Sequence, residues 1–272
     1  MSQAVSEIIS PGPPPREIER LESLAAQLDD VAPEETLRWA FDEFGRSVTI
    51  ATGFGLEGVA LIDMAVRINP RIDVFFLDTA FLFPETYELR RRLEERYNIQ
   101  IRAYETDITP EQQELTFGAE LWSTDPDLCC RLRKLEPLKD ALRGRRAWIT
   151  AIRQGQTLER SGARVVEWDY QWQLVKVNPL VRWTTQDVRA YIATNDVPFN
   201  PLHDQGYPSI GCTHCTRAIR TGQHERDGRW PGHEKRECGM HARVQPAALV
   251  TTDESQAGPI LRLVDSTGDE TA

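Results

Sequence analysis

Apolar residues recur at helical spacing at Leu21, Leu24 and Leu28, and again at Leu37, Ala40, Phe41 and Phe44, which predicts two helices within residues 16–44. Pro33 opens the second. Proline is tolerated in a first helical turn, and Glu34 and Glu35 sit favourably at the positive helix end. The pattern then shortens. Residues 47–51 predict a strand, Thr52-Gly53-Phe54-Gly55-Leu56-Glu57-Gly58 a turn, and 56–67 a helix. Residues 72–77 predict a second buried strand, 84–97 a helix with one charged face, and 99–104 a third strand. A helix over 131–143 and a strand over 147–151 continue the alternation, followed by strand and loop over 165–179. Thr184-Thr185-Gln186-Asp187 resembles a capping box and starts a helix over 185–194. From Pro198 onward Pro, Gly and His accumulate, and regular structure is expected to thin out.

Strand and helix in close alternation imply an α/β fold with a parallel sheet and helices on both faces. A chain of 272 residues can bury one such core. The expected organisation is a loose Pro-rich leader over 1–15, a single domain over 16–241, and a mobile C-terminal tail over 242–272, which is acidic and poor in aromatics. Ligands of such sheets bind where loops leave the carboxyl ends of the strands. Here those loops are 52–58, 78–83, 105–107 and 151–160.

Composition narrows the function. A net charge of −10 argues against a protein that binds nucleic acid through phosphate contacts. No stretch approaches the roughly 20 apolar residues of a membrane span. The N-terminus lacks the basic-then-apolar pattern of a signal peptide, so a cytoplasmic location is expected. Thiols stay reduced there, and five cysteines read as metal-binding or catalytic.

Cys129 and Cys130 are adjacent and cannot easily bond to each other, because the short ring distorts the sulfur geometry. Cys212 and Cys215 form a Cys-x-x-Cys pair, and Cys238 stands alone. Four soft thiolates select zinc or an iron–sulfur cluster. The spacerless first pair suits a large cube better than the compact tetrahedron of zinc, which stays open as a structural alternative. Arg131, Arg133 and Lys134 would offset the negative charge of such a cluster, and Lys134 lies one turn from Cys130. The plainer reading of that run is a solvated helix face. Lys235, Arg236 and His241 surround Cys238 in a segment expected to be exposed, and positive neighbours favour a reactive thiolate, although Glu237 opposes them.

Gly53, Gly55 and Gly58 between strand and helix would let backbone N–H groups approach an anion, or would simply form a tight turn. Arg153, Arg160 and Arg164 follow the fourth strand, and Arg217, Arg220, Arg226 and Arg229 follow the second cysteine pair. Guanidinium forks suit phosphate and sulfate oxygens. The five histidines show no metal-ligand spacing; His241 is placed to tune Cys238.

Cys129-Cys130-Arg131-x-x-Lys134-x-x-Pro137-Leu138, Cys212-x-x-Cys215, Gly228-Arg229-Trp230 and Lys235-x-Glu237-Cys238-Gly239-x-His241 together resemble the assimilatory adenylylsulfate (APS) reductases of the phosphoadenylylsulfate reductase family. Leu77-Asp78-Thr79 and Phe83-Pro84-Glu85-Thr86-Tyr87 add that family's second substrate loop. The resemblance covers residues 33–241 and implies an adenine nucleotide α-hydrolase-like, Rossmann-like fold. It implies a [4Fe–4S] cluster on Cys129, Cys130, Cys212 and Cys215, and attack by Cys238 on the sulfur of adenylylsulfate, leaving a cysteine S-sulfonate. Thioredoxin, or a glutaredoxin-type donor, would then release sulfite. By the same resemblance Lys134 bridges cluster and substrate, Arg160, Arg226 and Arg229 hold the phosphosulfate, and Thr52, Gly55, Glu57, Asp78 and Thr79 line the nucleotide loops. A homo-oligomer is expected.

Two departures stand out. The family's first loop usually reads Ser-Phe-Ser-Gly-Ala-Glu-Asp, so hydroxyl contacts are fewer here, and its second commonly has Gly where this chain has Ala80. The nearest rival is a 3′-phosphoadenylylsulfate (PAPS) reductase, which commonly lacks the four-cysteine set. An ATP-dependent thiolase acting on RNA would need a Ser-Gly-Gly-x-Asp-Ser loop, which is absent. A zinc-stabilised binding module is the rival of a different class.

Overall fold

A computed structural model of the chain describes residues 12–242. The first eleven residues of the leader, and the tail from Arg243 onward, lie outside the described residues. Two N-terminal helices, α1 (Pro15–Leu28) and α2 (Pro33–Phe44), precede β1 (Val48–Ala51), α3 (Leu56–Ile68), β2 (Val74–Asp78), α4 (Pro84–Tyr97) and β3 (Ile101–Glu105). Next come α5 (Pro110–Phe117), the single turn α6 (Leu121–Thr124) and α7 (Pro126–Cys130), a π-helical turn at Arg131–Leu135, and α8 (Glu136–Leu142). Then β4 (Ala147–Ile149), β5 (Val166–Asp169), β6 (Leu174–Val177) and α9 (Thr185–Asn195) complete the regular elements.

The six strands form one sheet in the order β3-β2-β1-β4-β6-β5. Five run parallel, and β5 pairs antiparallel with β6 at the edge. The expected parallel α/β sheet is therefore present, and the stretch read as strand and loop is a hairpin. The strand order reverses between β1 and β4, with β2 and β3 on one side and β6 and β5 on the other, so a crevice opens at the carboxyl ends there. Helix α3 packs in the middle of the core: Leu56 and every residue from Gly58 to Val66 are buried, as a helix apolar nearly all round requires. Its one buried carboxylate, Asp63, accepts hydrogen bonds from the Tyr97 and Tyr191 hydroxyls and pairs with Arg67. That satisfies a charge that would otherwise be costly to bury.

Two elements differ from the expectation. The helix read from residue 131 begins at Pro126, started by the Asp125 carboxylate accepting from Leu128 N at 2.9 Å. The cysteine pair thus lies inside the helix, immediately before the π turn. Pro137 has no N–H to give to the turn behind it, and the ladder widens there. Helix α5 had no apolar stripe to announce it, since Leu115 is 87% exposed. Its start was nevertheless written in a capping box between Thr109 and Gln112.

Candidate active site

A cavity of about 230 Å³ opens at the carboxyl ends of β1, β2 and β4. Thr52, Gly55 and Glu57 line it from the first loop, Thr79 from the second, and Arg160, Arg226, Arg229, Lys134 and Cys238 from elsewhere in the chain. Asp78 is the one expected contact that is not in the wall. Its carboxylate accepts from Ala80 N at 2.9 Å and from the Tyr87 hydroxyl at 2.7 Å, and so shapes the loop rather than the cavity surface.

The first loop is folded tightly on itself. The Thr52 hydroxyl accepts from Phe54 N at 3.0 Å while Phe54 takes a positive φ of 58°. A Cβ on Gly58 would come to 2.7 Å from that hydroxyl, so the helix can begin this close to the strand only with glycine there. Glu57 is held by Arg153 at 2.8 Å, and Arg153 also reaches the Thr185 hydroxyl at 3.0 Å and Glu225 at 3.3 Å. Arg153 is therefore fully engaged in tying loops together. Arg164 pairs with Glu22 at the surface, and Arg217 and Arg220 are exposed.

Cys129, Cys130, Cys212 and Cys215 line a second, narrow cavity with Phe81, Trp122, Pro126, Arg133, Lys134 and His214. All five cysteines are free and buried. Burial, then the charge of the other three sulfurs, pushes the Cys129 thiol up to about 12; burial and Cys212 push Cys215 up to about 11. Burial also raises Cys130. Cys212 runs the other way: burial would raise it, but Lys134, the Thr79 hydroxyl and Arg229 together lower it. Three of four crowded thiols thus resist ionisation, and a cationic centre is what would let all four ionise together. Among the described residues no group of three or more His, Cys, Asp or Glu is gathered so as to hold a metal ion. Four thiols are nonetheless a soft donor set, the kind that zinc and iron–sulfur clusters select.

Lys134 lines both cavities. Burial would lower its affinity for the proton, yet Cys212, Cys130 and Cys238 outweigh burial and hold it charged. Of the other two cations of that run, only Arg133 stays at the cysteine cavity. Arg131 is exposed. Arg133 is buried and lies 4.6 Å above the Phe81 ring, donating to Gln113 at 2.7 Å and to the Thr79 carbonyl at 3.1 Å.

Cys238 corrects the expectation of an exposed nucleophile. It is buried, packed with Cys130, Cys212, Cys215 and Trp230. His241 stacks on Trp148 at 5.4 Å, and burial, reinforced by Lys176, Arg160 and Arg226, holds its imidazole neutral. Trp230, whose motif gives no hint of this, organises the charge. Its ring has Arg229 at 4.5 Å, Lys235 at 5.5 Å, Arg226 at 5.8 Å and Lys134 at 5.9 Å. An indole face attracts cations without adding a formal charge, so it can hold several of them close together. Gly211, just before the second cysteine pair, was the available signal: a Cβ there would collide with the Arg229 guanidinium.

Residues 47–218 match the family described as the phosphoadenosine phosphosulfate reductase domain. Adenosine 5′-phosphosulfate reductase of Lysinibacillus sphaericus is 45% identical over 208 residues, covering 76% of this chain and 89% of that protein. Phosphoadenosine 5′-phosphosulfate reductase of Gloeobacter violaceus is 44% identical over 225 residues, covering 82% and 93%. The crystal structure of phosphoadenylyl-sulfate reductase from Candida auris, a phosphate complex, superposes with a TM-score of 0.66 at 34% identity, over 72% of this chain and 95% of that one.

Proposed function

Because the chain belongs to the phosphoadenosine phosphosulfate reductase family, we propose that it reduces adenylylsulfate to sulfite and AMP, with Cys238 as the nucleophile. Its adenine nucleotide α-hydrolase-like fold and its relatives make it a sulfonucleotide reductase of sulfate assimilation. The observation that carries the finer reading is the convergence of Cys238, three arginines and a lysine on a single cavity at the sheet's switch point, with Cys212 in the same wall.

The Cys238 thiolate attacks the sulfur of adenylylsulfate. The bond from that sulfur to the bridging oxygen breaks, AMP departs with the electron pair, and a cysteine S-sulfonate remains. A thiol of thioredoxin, or of a glutaredoxin-type donor, then attacks the Cys238 sulfur and expels sulfite; its second thiol frees Cys238 and closes the donor's disulfide. The first step brings a thiolate against an anion, and like charges repel strongly in a partly buried site. Arg160, Arg226, Arg229 and Lys134 reduce that repulsion and stabilise the charge growing on AMP. The loop from Gly53 to Gly58 brings backbone N–H groups to the start of α3, where an anion is favoured, while Thr52 N and Phe54 N are committed to the Phe75 carbonyl and the Thr52 hydroxyl.

Cys129, Cys130, Cys212 and Cys215 would hold a [4Fe–4S] cluster, which when bound supplies fixed charge beside Lys134 and orders the cavity wall. The protein would work in the cytoplasm as a homo-oligomer. Among the described residues no helix is long and apolar enough to cross a membrane.

3′-Phosphoadenylylsulfate is the second reading, favoured by the Gloeobacter relative. Anaerobically purified protein should contain iron and sulfide, take up SO₃ on Cys238 from adenylylsulfate without a reductant, and release sulfite when thioredoxin is added. Zinc in place of iron, no added SO₃, or much faster turnover of 3′-phosphoadenylylsulfate would overturn the corresponding part.

A further inference from the structure

The carboxylate immediately before the nucleophile occupies two of the arginines expected to receive the substrate. Glu237 accepts from Arg160 Nε at 2.7 Å and Nη2 at 2.8 Å, a complete guanidinium fork. It also accepts from Arg226 Nη2 at 3.2 Å and from the Thr157 hydroxyl at 3.2 Å. Arg226 in addition donates to the Arg236 carbonyl, from Nε at 3.2 Å and Nη2 at 2.8 Å. The backbone and the side chain leading into Cys238 are thus clasped from both arginines. All three side chains are largely buried: 10% exposed for each arginine and 15% for Glu237. Burial and the repulsion of Arg160 and Arg229 push Arg226 down to about 10, countered chiefly by Glu237 and less by Cys238. Removing one partner of such a cluster leaves buried like charges facing each other.

We propose that Glu237 is a positioning residue. It holds the Cys238 thiol at the cavity by pairing with Arg160 and Arg226, and it weakens anion binding because its carboxylate stands where an oxyanion of the substrate would otherwise be held. This rests on the reading of Cys238 as the nucleophile toward adenylylsulfate. Glu237 touches the arginines and not the reacting atoms, so it acts through them. Its two effects have opposite signs on binding and on reaction, which a merely structural residue would not produce.

The test is pre-steady-state S-sulfonation of Cys238, followed by intact mass in wild type, Glu237→Gln and Glu237→Asp across adenylylsulfate concentrations. Glu237→Gln is expected to lower the saturating rate at least about tenfold, as misplacement of a reacting group does, while the half-saturating concentration falls severalfold. Slowing together with tighter half-saturation is the signature of a misplaced thiol beside freed arginines, a combination that general loss of folding would not give. Glu237→Asp keeps the charge on a shorter stem; it should fold if the amide variant does not, and should recover part of the rate with a half-saturation close to wild type. A saturating rate within about twofold of wild type, or a half-saturation that rises in Glu237→Gln, overturns the proposal alone. A wild-type protein that takes up no SO₃ removes the reading beneath it as well.

Discussion

The hydroxyl of Thr79 lies 3.3 Å from Sγ of Cys212. The loop after β2, which lines the larger cavity, is thereby joined directly to the cysteine site, and the Thr79 carbonyl is bound in turn by Arg133. Thr79→Val keeps the shape and removes the hydrogen bond, worth about 1 kcal/mol when neutral and more when the sulfur is ionised. The expected outcome is a shifted visible absorption of the anaerobic protein and a severalfold loss of adenylylsulfate turnover. A variant with wild-type spectrum and rate would show that the contact couples nothing.

Lys134 is the buried cation common to both cavities, and Cys212, Cys130 and Cys238 keep it charged against burial. Lys134→Ala should lower kcat/KM for adenylylsulfate at least about tenfold, the scale of losing one charged contact to a developing anion. Iron content should change far less. Lys134→Arg should not restore the rate, because a planar fork cannot replace a compact ammonium in a filled site. Paired rate and iron measurements decide it; an unchanged rate would make the lysine a spectator.

Cys238 shares one buried cluster with Cys130, Cys212 and Cys215, so its role and theirs must be separated by experiment. Cys238→Ser should abolish SO₃ uptake and sulfite release while iron, sulfide and colour remain at wild-type levels. Retained turnover would take Cys238 out of the mechanism, and lost iron would make it part of the metal site instead.

Much of this architecture could be read along the chain because its signals are local. Pro33, Pro84 and the Thr184 box each mark a helix start, and the apolar runs ending at Ala51 and Asp78 are strands in the sheet. What stayed hidden depends on partners far away in sequence. Nothing near Arg133 says that Gln113 and the Thr79 carbonyl will fix it in the wall of the cysteine cavity. Nothing near Glu237, read as a brake on Cys238, says that Arg160 lies 77 positions back to neutralise it. The π turn after Cys130 needs Pro137 and tertiary packing at once, and the burial of Cys238 needs Trp230 and the second cysteine pair. Local polarity alone made that segment look exposed.

Gly58 marks the closest approach of α3 to the end of β1. Gly58→Ala places a methyl 2.7 Å from the Thr52 hydroxyl, which is itself fixed by Phe54 N. Relief must come from backbone shifts, so a loss of about 1–3 kcal/mol is expected, although alanine is the better helix former. The midpoint of thermal unfolding should fall by about 2–4 °C per kcal/mol, and adenylylsulfate should bind more weakly because the same loop lines the cavity. An unchanged midpoint would mean that the hydroxyl moves aside freely.

Ala80 takes a φ of 59°, a left-handed conformation that costs a residue with a Cβ about 1–2 kcal/mol. The position is held there because Ala80 N donates to Asp78, whose carboxylate is also bound by the Tyr87 hydroxyl. Glycine adopts this φ without a steric penalty but gives the unfolded chain more freedom, and the two effects oppose each other. The strain is the larger, so Ala80→Gly should stabilise the protein by about 1 kcal/mol. Ala80 is exposed and outside the cavity wall, so its methyl is not positioned to meet a nucleotide. Thermal unfolding should therefore shift upward while KM for adenylylsulfate stays at the wild-type value. A lower midpoint would show that the Asp78 bond already absorbs the strain; a lower KM would show that the loop's stiffness, rather than its surface, limits binding.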